Sequence, residues 1–274
     1  MTDPIAFIGG TGVYSLDLAD QLKPLQVKTN YGEVQLQEGH SHNRKIYFMA
    51  RHGGNHGVAP HEINYRANIS ALRWLGVQNV VSTAAVGSLQ KGMFPGSMVV
   101  IDQFIDFTKS RASTFFSGPD QPVVHTDFSN PYCPSLRSTI LKKGKQQQLP
   151  MIDGGTYVCT EGPRFETPAE INMFHRWGGD LVGMTNVPEV VLAREAGLCY
   201  ATVALVTNYA AGISSHPLTH DEVVEVMEAK KDEVNQLFSA LIEEALPSSQ
   251  CLCSSFGQHF QVAGEFANAS GKGE

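Results

Sequence analysis

Short apolar, β-branched runs alternate with stretches of helical periodicity along most of this chain, and that alternation limits its fold more than any single motif does. Ile5–Ile8, Lys45–Ala50, Val77–Ser82, Ser97–Ile101, Thr156–Thr160, Asp180–Met184 and Cys199–Thr207 read as strands. Several are apolar on both faces, as strands inside a covered parallel or mixed sheet are. The helical candidates between them carry recognisable ends. Pro60–Leu75 starts on Pro and stops before Gly76, Ser135–Gln148 follows Pro134, Thr167–Trp177 begins Thr-Pro-Ala-Glu, and Thr219–Leu246 opens Thr-x-x-Glu, a capping-box pattern. Strand and helix in turn predict an α/β fold around a central sheet. The 274 residues show no repeat and no linker before residue 246, so one domain over residues 1–246 is expected. From Pro247 the texture turns to Ser, Gly, Gln, Asn and Ala. Residues 247–274 therefore read as a tail, either poorly packed or docking through Phe256, Phe260 and Phe266 as a short helix on the body or on a neighbouring subunit.

The charge balance of 20 Lys+Arg against 27 Asp+Glu, net −7, has no basic block, so nucleic acid is not an expected partner. Apolar stretches such as Leu198–Val206 fall short of the roughly 20 residues that cross a bilayer, so no membrane partner is expected. Met1-Thr2-Asp3-Pro4-Ile5 lacks the basic-then-apolar order of a signal peptide, and the expected location is cytoplasmic. Cys133, Cys159 and Cys199 stand apart in apolar surroundings and read as small buried side chains. Cys251 and Cys253 form a C-x-C with no His or further Cys at ligand spacing, so neither a zinc site nor any other metal is expected.

The polar residues that could do chemistry cluster at strand ends, where α/β sheets collect ligands. The first strand runs into Gly9-Gly10-Thr11-Gly12, either a tight turn or a loop whose N–H groups approach an anion with help from the Thr hydroxyl. Ser15 breaks the dinucleotide fingerprint G-x-G-x-x-G, and G-x-x-x-x-G-K-[ST] is absent, so free phosphate suits this loop better than a nucleotide pyrophosphate. Arg51-His52-Gly53 ends the next strand, where a guanidinium suits a bidentate grip on phosphate and an imidazole adds a donor. His56 and His61 follow, and they suit loop or helix-start roles equally well. Thr83-Ala84-Ala85-Val86-Gly87 is small enough to admit either a ligand or a packed helix. In Glu161–Thr167, Phe165 could stack on a heteroaromatic ring and Glu166 accept from ring N–H groups, although Glu beside a helix start is also favoured by the helix dipole. Met184-Thr185 and Val206-Thr207-Asn208 complete the set.

These blocks together resemble the methylthioadenosine phosphorylase and purine nucleoside phosphorylase family. The likeness lies in GGTG, ARHGxxHxxxPxxxNYxAN over Ala50–Asn68, VGSL at Val86–Leu89, EGPRFET at Glu161–Thr167, MTNVPEVVLAREAG at Met184–Gly197 and VTN at Val206–Asn208. The resemblance implies a mixed, partly barrel-like sheet flanked by helices, a homotrimer with active sites at subunit boundaries, no metal or organic cofactor, and phosphate as co-substrate. It implies phosphorolysis of a purine nucleoside to a pentose 1-phosphate and free base. Phosphate would meet Thr11, Arg51, His52, the Ala85 backbone and Thr185, with Met184 under the ribose and Phe165 on the base. Asn208, Glu166 and His52 would act on the reacting groups.

The departures from the family pattern bear on specificity. Ala84 stands where relatives carry Thr or Asn, which removes a polar contact near phosphate that Thr83 replaces only if the loop shifts. Thr207-Asn208-Tyr209-Ala210 stands where methylthioadenosine enzymes read TDYD. Asn208 both donates and accepts, and Glu166 can accept from a ring N1–H, the pattern expected for hypoxanthine or guanine. His220 resembles the His that meets a 5′-hydroxyl, or else is a polar residue in a helix's first turn. His125 resembles the His that methylthioadenosine enzymes lend across the subunit boundary. Inosine or guanosine is therefore expected, with 5′-methylthioinosine second. Methylthioadenosine phosphorolysis and a low-turnover binder of purines or other flat aromatics are the alternatives.

Overall fold

A computed structural model describes residues 2–10, 20–54, 57–119, 121–214, 217–244, 246 and 251–266. Its strands are β1 (Thr2–Gly9), β2 (Asp20–Thr29), β3 (Gly32–Ser41), β4 (Arg44–Ala50), β5 (Asn79–Ser88), β6 (Met98–Val100), β7 (Gln103–Phe107), β8 (Met151–Asp153), β9 (Thr156–Thr160), β10 (Leu181–Gly183), β11 (Cys199–Tyr209) and β12 (Glu265–Phe266). The helices are α1 (Tyr65–Trp74), α2 (Pro134–Gln146), α3 (Pro168–Arg176), α4 (Asn186–Glu195), α5 (His220–Ala229), α6 (Lys231–Glu243) and α7 (Cys253–Phe256).

All the strands join one mixed sheet, which forks at β5. Residues 79–82 of β5 pair in parallel with β1, and its whole length pairs in parallel with β11. Beyond Ser82 the β1 neighbour ends, and Gly87 and Ser88 instead pair antiparallel with β10. The sheet parts beside the second half of β5, and the fork leaves a space that no strand fills. On one side the core packs α1 and α4 against the sheet, including Ile69, Leu72, Val190 and Leu192. On the other it packs α2, α5 and α6, with the Phe7 and Phe238 rings 4.2 Å apart.

Several element boundaries differ from expectation for local reasons. The first helix starts at Tyr65, because the Asn64 side chain caps it by accepting from the Ala67 N–H at 3.1 Å. Pro60 belongs to the loop before it, held by the Tyr65 hydroxyl donating to the Pro60 carbonyl. The expected helix over Thr219–Leu246 is two helices meeting at Lys230, of which α5 packs on β11 and α6 on α2. The β2–β3–β4 meander is half covered over β2 and β3, where the buried hydrophobic residues are Val27, Val34 and Leu36, so those two strands lack the apolar density that marks the central strands. Its second turn places His42 and Asn43 at φ 50° and 61°, the paired left-handed geometry of a two-residue hairpin turn.

Residues 251–266 dock on the body of their own chain. Phe256 lies under the Arg194 guanidinium at 4.0 Å, Phe260 meets Phe115 at 4.6 Å, Phe266 meets Trp74 at 4.7 Å, and β12 pairs with β2. Residues 247–250 and 267–274 lie outside the described residues. Docking corrects the view of the cysteines as isolated. The sulfurs of Cys133, Cys199, Cys251 and Cys253 all lie within 4.8 Å of one another. The C-x-C has its further thiols, supplied from far along the chain and invisible to sequence spacing.

Candidate active site

The space at the fork is a cavity of about 400 Å³. Nine residues expected from the sequence line it: Arg51, His52, Ala85, Phe165, Glu166, Met184, Thr185, Asn208 and His220. Thr11, Gly12, Ser15 and His56 lie outside the described residues. His125 is exposed and His61 is exposed, and neither is in the wall.

The cavity wall includes Gly10, Arg51, His52, Ala85 and Thr185. Arg51 is buried, its side chain 1% exposed. Its Nε donates to Glu189 Oε2 at 2.7 Å, and Nη2 donates to Glu189 Oε1 at 2.8 Å and also to the Ser82 hydroxyl. Nη1 donates to the Thr83 carbonyl at 2.9 Å. A guanidinium has five N–H groups, so among the described residues one remains, on Nη1. The expected bidentate grip on phosphate is corrected: the fork faces Glu189, and Arg51 can offer an anion only a single N–H. Burial pulls the Arg51 pKa down, but the Glu189 carboxylate outweighs it and holds the pKa above its ordinary value.

Gly10 keeps that N–H open. A Cβ there would lie 3.0 Å from Arg51 Nη1 and 2.9 Å from the Thr83 carbonyl oxygen. The Gly10 N–H donates to the Thr83 hydroxyl at 3.1 Å, and Thr83 is not among the residues lining the cavity, so it does not replace the contact missing at Ala84. His52 Nδ1 is 2.9 Å from the Val58 carbonyl. A carbonyl only accepts, so Nδ1 carries the proton. Thr185 opens α4 without capping it through its side chain.

The wall also includes Glu166, Phe165 and Asn208. The Thr160 hydroxyl donates to Glu166 Oε1 at 2.6 Å, which leaves Oε2 to accept from a ligand. Burial raises the Glu166 pKa above the ordinary carboxylate value, and the Thr160 hydrogen bond only partly offsets it. Asn208 is aimed by a bulge in β11: Val206 pairs with Val86 and Asn208 with Gly87, so Thr207 is an extra residue. Asn208 Nδ2 donates to the Tyr209 carbonyl at 2.9 Å and Oδ1 accepts from the Thr207 hydroxyl at 2.8 Å, which fixes the amide and leaves one N–H. A Cβ at Gly87 would sit 3.3 Å from that nitrogen. Met184 is also in the wall, packed so closely on Gly162 that a Cβ at Gly162 would be 2.6 Å from its sulfur. His220, first residue of α5, lines the cavity while exposed to solvent.

Two residues that organise the site carried no signal in the sequence. Glu189 is fully buried and accepts from Arg51, the Ser82 hydroxyl and the Tyr200 hydroxyl. Arg111 donates to the carbonyls of Thr160, Glu161, Met184 and Val187, tying the ends of β9 and β10 to the start of α4. Each works through distant partners that no local pattern identifies, although Glu189 lies within the Met184–Gly197 block.

The pattern of the phosphorylase superfamily matches residues 4–243. The chain belongs to this superfamily. It is 52% identical over 260 residues to a Dictyoglomus turgidum protein named "Probable 6-oxopurine nucleoside phosphorylase", covering 95% of this chain and 98% of that one. It is 49% identical over 254 residues to the 6-oxopurine nucleoside phosphorylase of Pyrococcus furiosus, covering 91% and 96%. Among superfamily members of solved structure, methylthioadenosine phosphorylase from Schistosoma mansoni in complex with adenine superposes with a TM-score of 0.85 at 32% identity, over 88% of this chain and 91% of that one.

Proposed function

We propose that this phosphorylase-superfamily chain cleaves the N-glycosidic bond of purine nucleosides with inorganic phosphate, preferring 6-oxopurines such as those of inosine and guanosine. The observation that supports this reading is one cavity whose wall holds both Arg51, His52 and Thr185, suited to an anion, and Glu166 and Asn208, suited to a base. Thr11 and the Ala85 backbone complete the proposed phosphate contacts.

A phosphate oxygen bonds to the anomeric carbon as the C–N bond breaks, and the bonding electron pair moves into the purine. The transition state is oxocarbenium-like, with positive charge on the sugar and negative charge on the leaving base. The phosphate anion, held beneath the sugar beside Met184, stabilises the first charge. The remaining Asn208 N–H stabilises the second at N7 or O6, while Glu166 accepts from N1–H. Adenine has no N1–H, and a site built for one hydrogen-bond pattern leaves buried groups unpaired with the other, at about 1–3 kcal/mol per group. Asn208 and Ala210 in place of two acids thus argue against methylthioadenosine.

His220 in the wall supports an ordinary 5′-hydroxyl. His125, exposed on its own chain, is proposed to reach a neighbouring subunit's site in a homotrimer, which keeps 5′-methylthioinosine as the second reading. No organic cofactor enters this chemistry. A cytoplasmic location belongs to the same proposal; among the described residues no helix is long and apolar enough to cross a membrane. Inosine incubated with phosphate is expected to give hypoxanthine and ribose 1-phosphate in equal amounts by chromatography and phosphorus NMR. Free ribose as the sugar product would contradict phosphorolysis.

A further inference from the structure

We infer that Cys133, Cys199, Cys251 and Cys253 form a tetrathiolate site for a zinc-type divalent metal ion, which clamps the C-terminal segment to the body. Cys199 is the first residue of β11, Cys133 caps the N-terminus of α2, and Cys251 and Cys253 flank the start of α7. The four sulfurs lie within 4.8 Å of one another, and Cys133, Cys199 and Cys253 are buried. Four thiolates around one Zn²⁺ at about 2.3 Å stand about 3.8 Å apart, a spacing this cluster reaches with small side-chain adjustments.

One backbone donor already faces the cluster. The Leu136 N–H at the start of α2 donates to Cys133 Sγ at 3.4 Å, the kind of backbone N–H···S contact that supports a metal-bound sulfur. The Cys199 and Cys251 sulfurs are 3.1 Å apart. Convergence of all four on one point, rather than in two separate pairs, is the arrangement a single tetrahedral ion needs. On binding, each thiol still protonated releases its proton to solvent as its S–Zn bond forms. No electrons are transferred, and the centre carries two negative charges.

None of the four cysteines lines the catalytic cavity, so metal content and catalysis separate experimentally. The full chain is purified under reducing, oxygen-free conditions, supplied with Zn²⁺ alone, desalted and assayed by elemental analysis and native mass spectrometry. One Zn²⁺ per chain is expected, with a thiolate-to-cobalt charge-transfer band when Co²⁺ is used instead. The double variant Cys251→Ser, Cys253→Ser is expected to lose both signals while inosine phosphorolysis stays within about twofold of the parent, and removing Zn²⁺ from the parent is expected to lower its Tm. The parent protein decides the question if the variant fails to fold. Retention of less than about a tenth of an ion per chain, or peptide mapping that finds these cysteines bridged to one another in the anaerobic protein, would overturn the assignment.

Discussion

At the scale of single residues, the site depends on how few hydrogen-bonding groups remain after the protein has satisfied itself. Arg51 has one N–H to offer, Asn208 one N–H, and Glu166 one carboxylate oxygen. Their residue types and strand-end positions were legible in the sequence; the partners that use up the other groups were not. The guanidinium suits a bidentate phosphate grip by residue type, yet its paired N–H groups face Glu189, 138 positions away in the chain. Glu166→Gln replaces the acceptor with an amide and is expected to lower inosine kcat/KM by about tenfold to a hundredfold, with a smaller loss on adenosine. The pH profile reports the same group. Because burial raises the Glu166 pKa, protonation on the acid side begins at a higher pH than for an exposed glutamate, and the KM for inosine should rise there as the acceptor is lost. Glu166→Gln should remove that acid-side rise, and its persistence in the variant would assign it to another group.

At the scale of elements, strand ends deliver the chemistry and local caps decide where helices begin. The central strands were legible because burial on both faces makes them continuously apolar, whereas β2 and β3 bury one face and read as polar. The start of α1 was misplaced because Pro60 is a common helix opener, yet the side-chain cap is Asn64. The cap of α3 was legible: Thr167 accepts from the Glu170 N–H, and Glu170 accepts from the Thr167 N–H at 2.8 Å. That box fixes the helix immediately after Phe165 and Glu166. Glu170→Ala is expected to cost about 0.5–2 kcal/mol, a fall of a few degrees in Tm by calorimetry. Hydrogen bonding from Arg164, then from the Thr167 N–H, depresses the Glu170 pKa from 4.5 to about 2. Its folded-state value lies below its unfolded one, so its contribution is present above pH 4.5 and fades as pH falls toward about 2. The Tm difference between parent and Glu170→Ala should narrow over that interval, and a constant difference would contradict the linkage.

At the scale of the whole molecule, the forked sheet gathers residues from Gly10 to His220 around one cavity, while the C-terminal segment folds back to bring four cysteines together elsewhere. The first gathering was legible because most contributors lie at or shortly after a strand end, with His220 at the start of α5. The second was hidden, since residues far apart in sequence meet only through docking of the tail. Exposure of His125 and of apolar side chains such as Val123 and Phe94 fits a proposed trimer. Light scattering is expected to return the mass of three chains, and a stable monomer with full activity would remove the assigned role of His125. The central claim is that one cavity holds phosphate and a 6-oxopurine nucleoside together. Its most direct test is release of free base from inosine, guanosine and adenosine, measured with and without phosphate. The expected result is phosphate-dependent release with inosine kcat/KM at least about tenfold above that of adenosine. Equal release without phosphate, or faster turnover of adenosine, would contradict it.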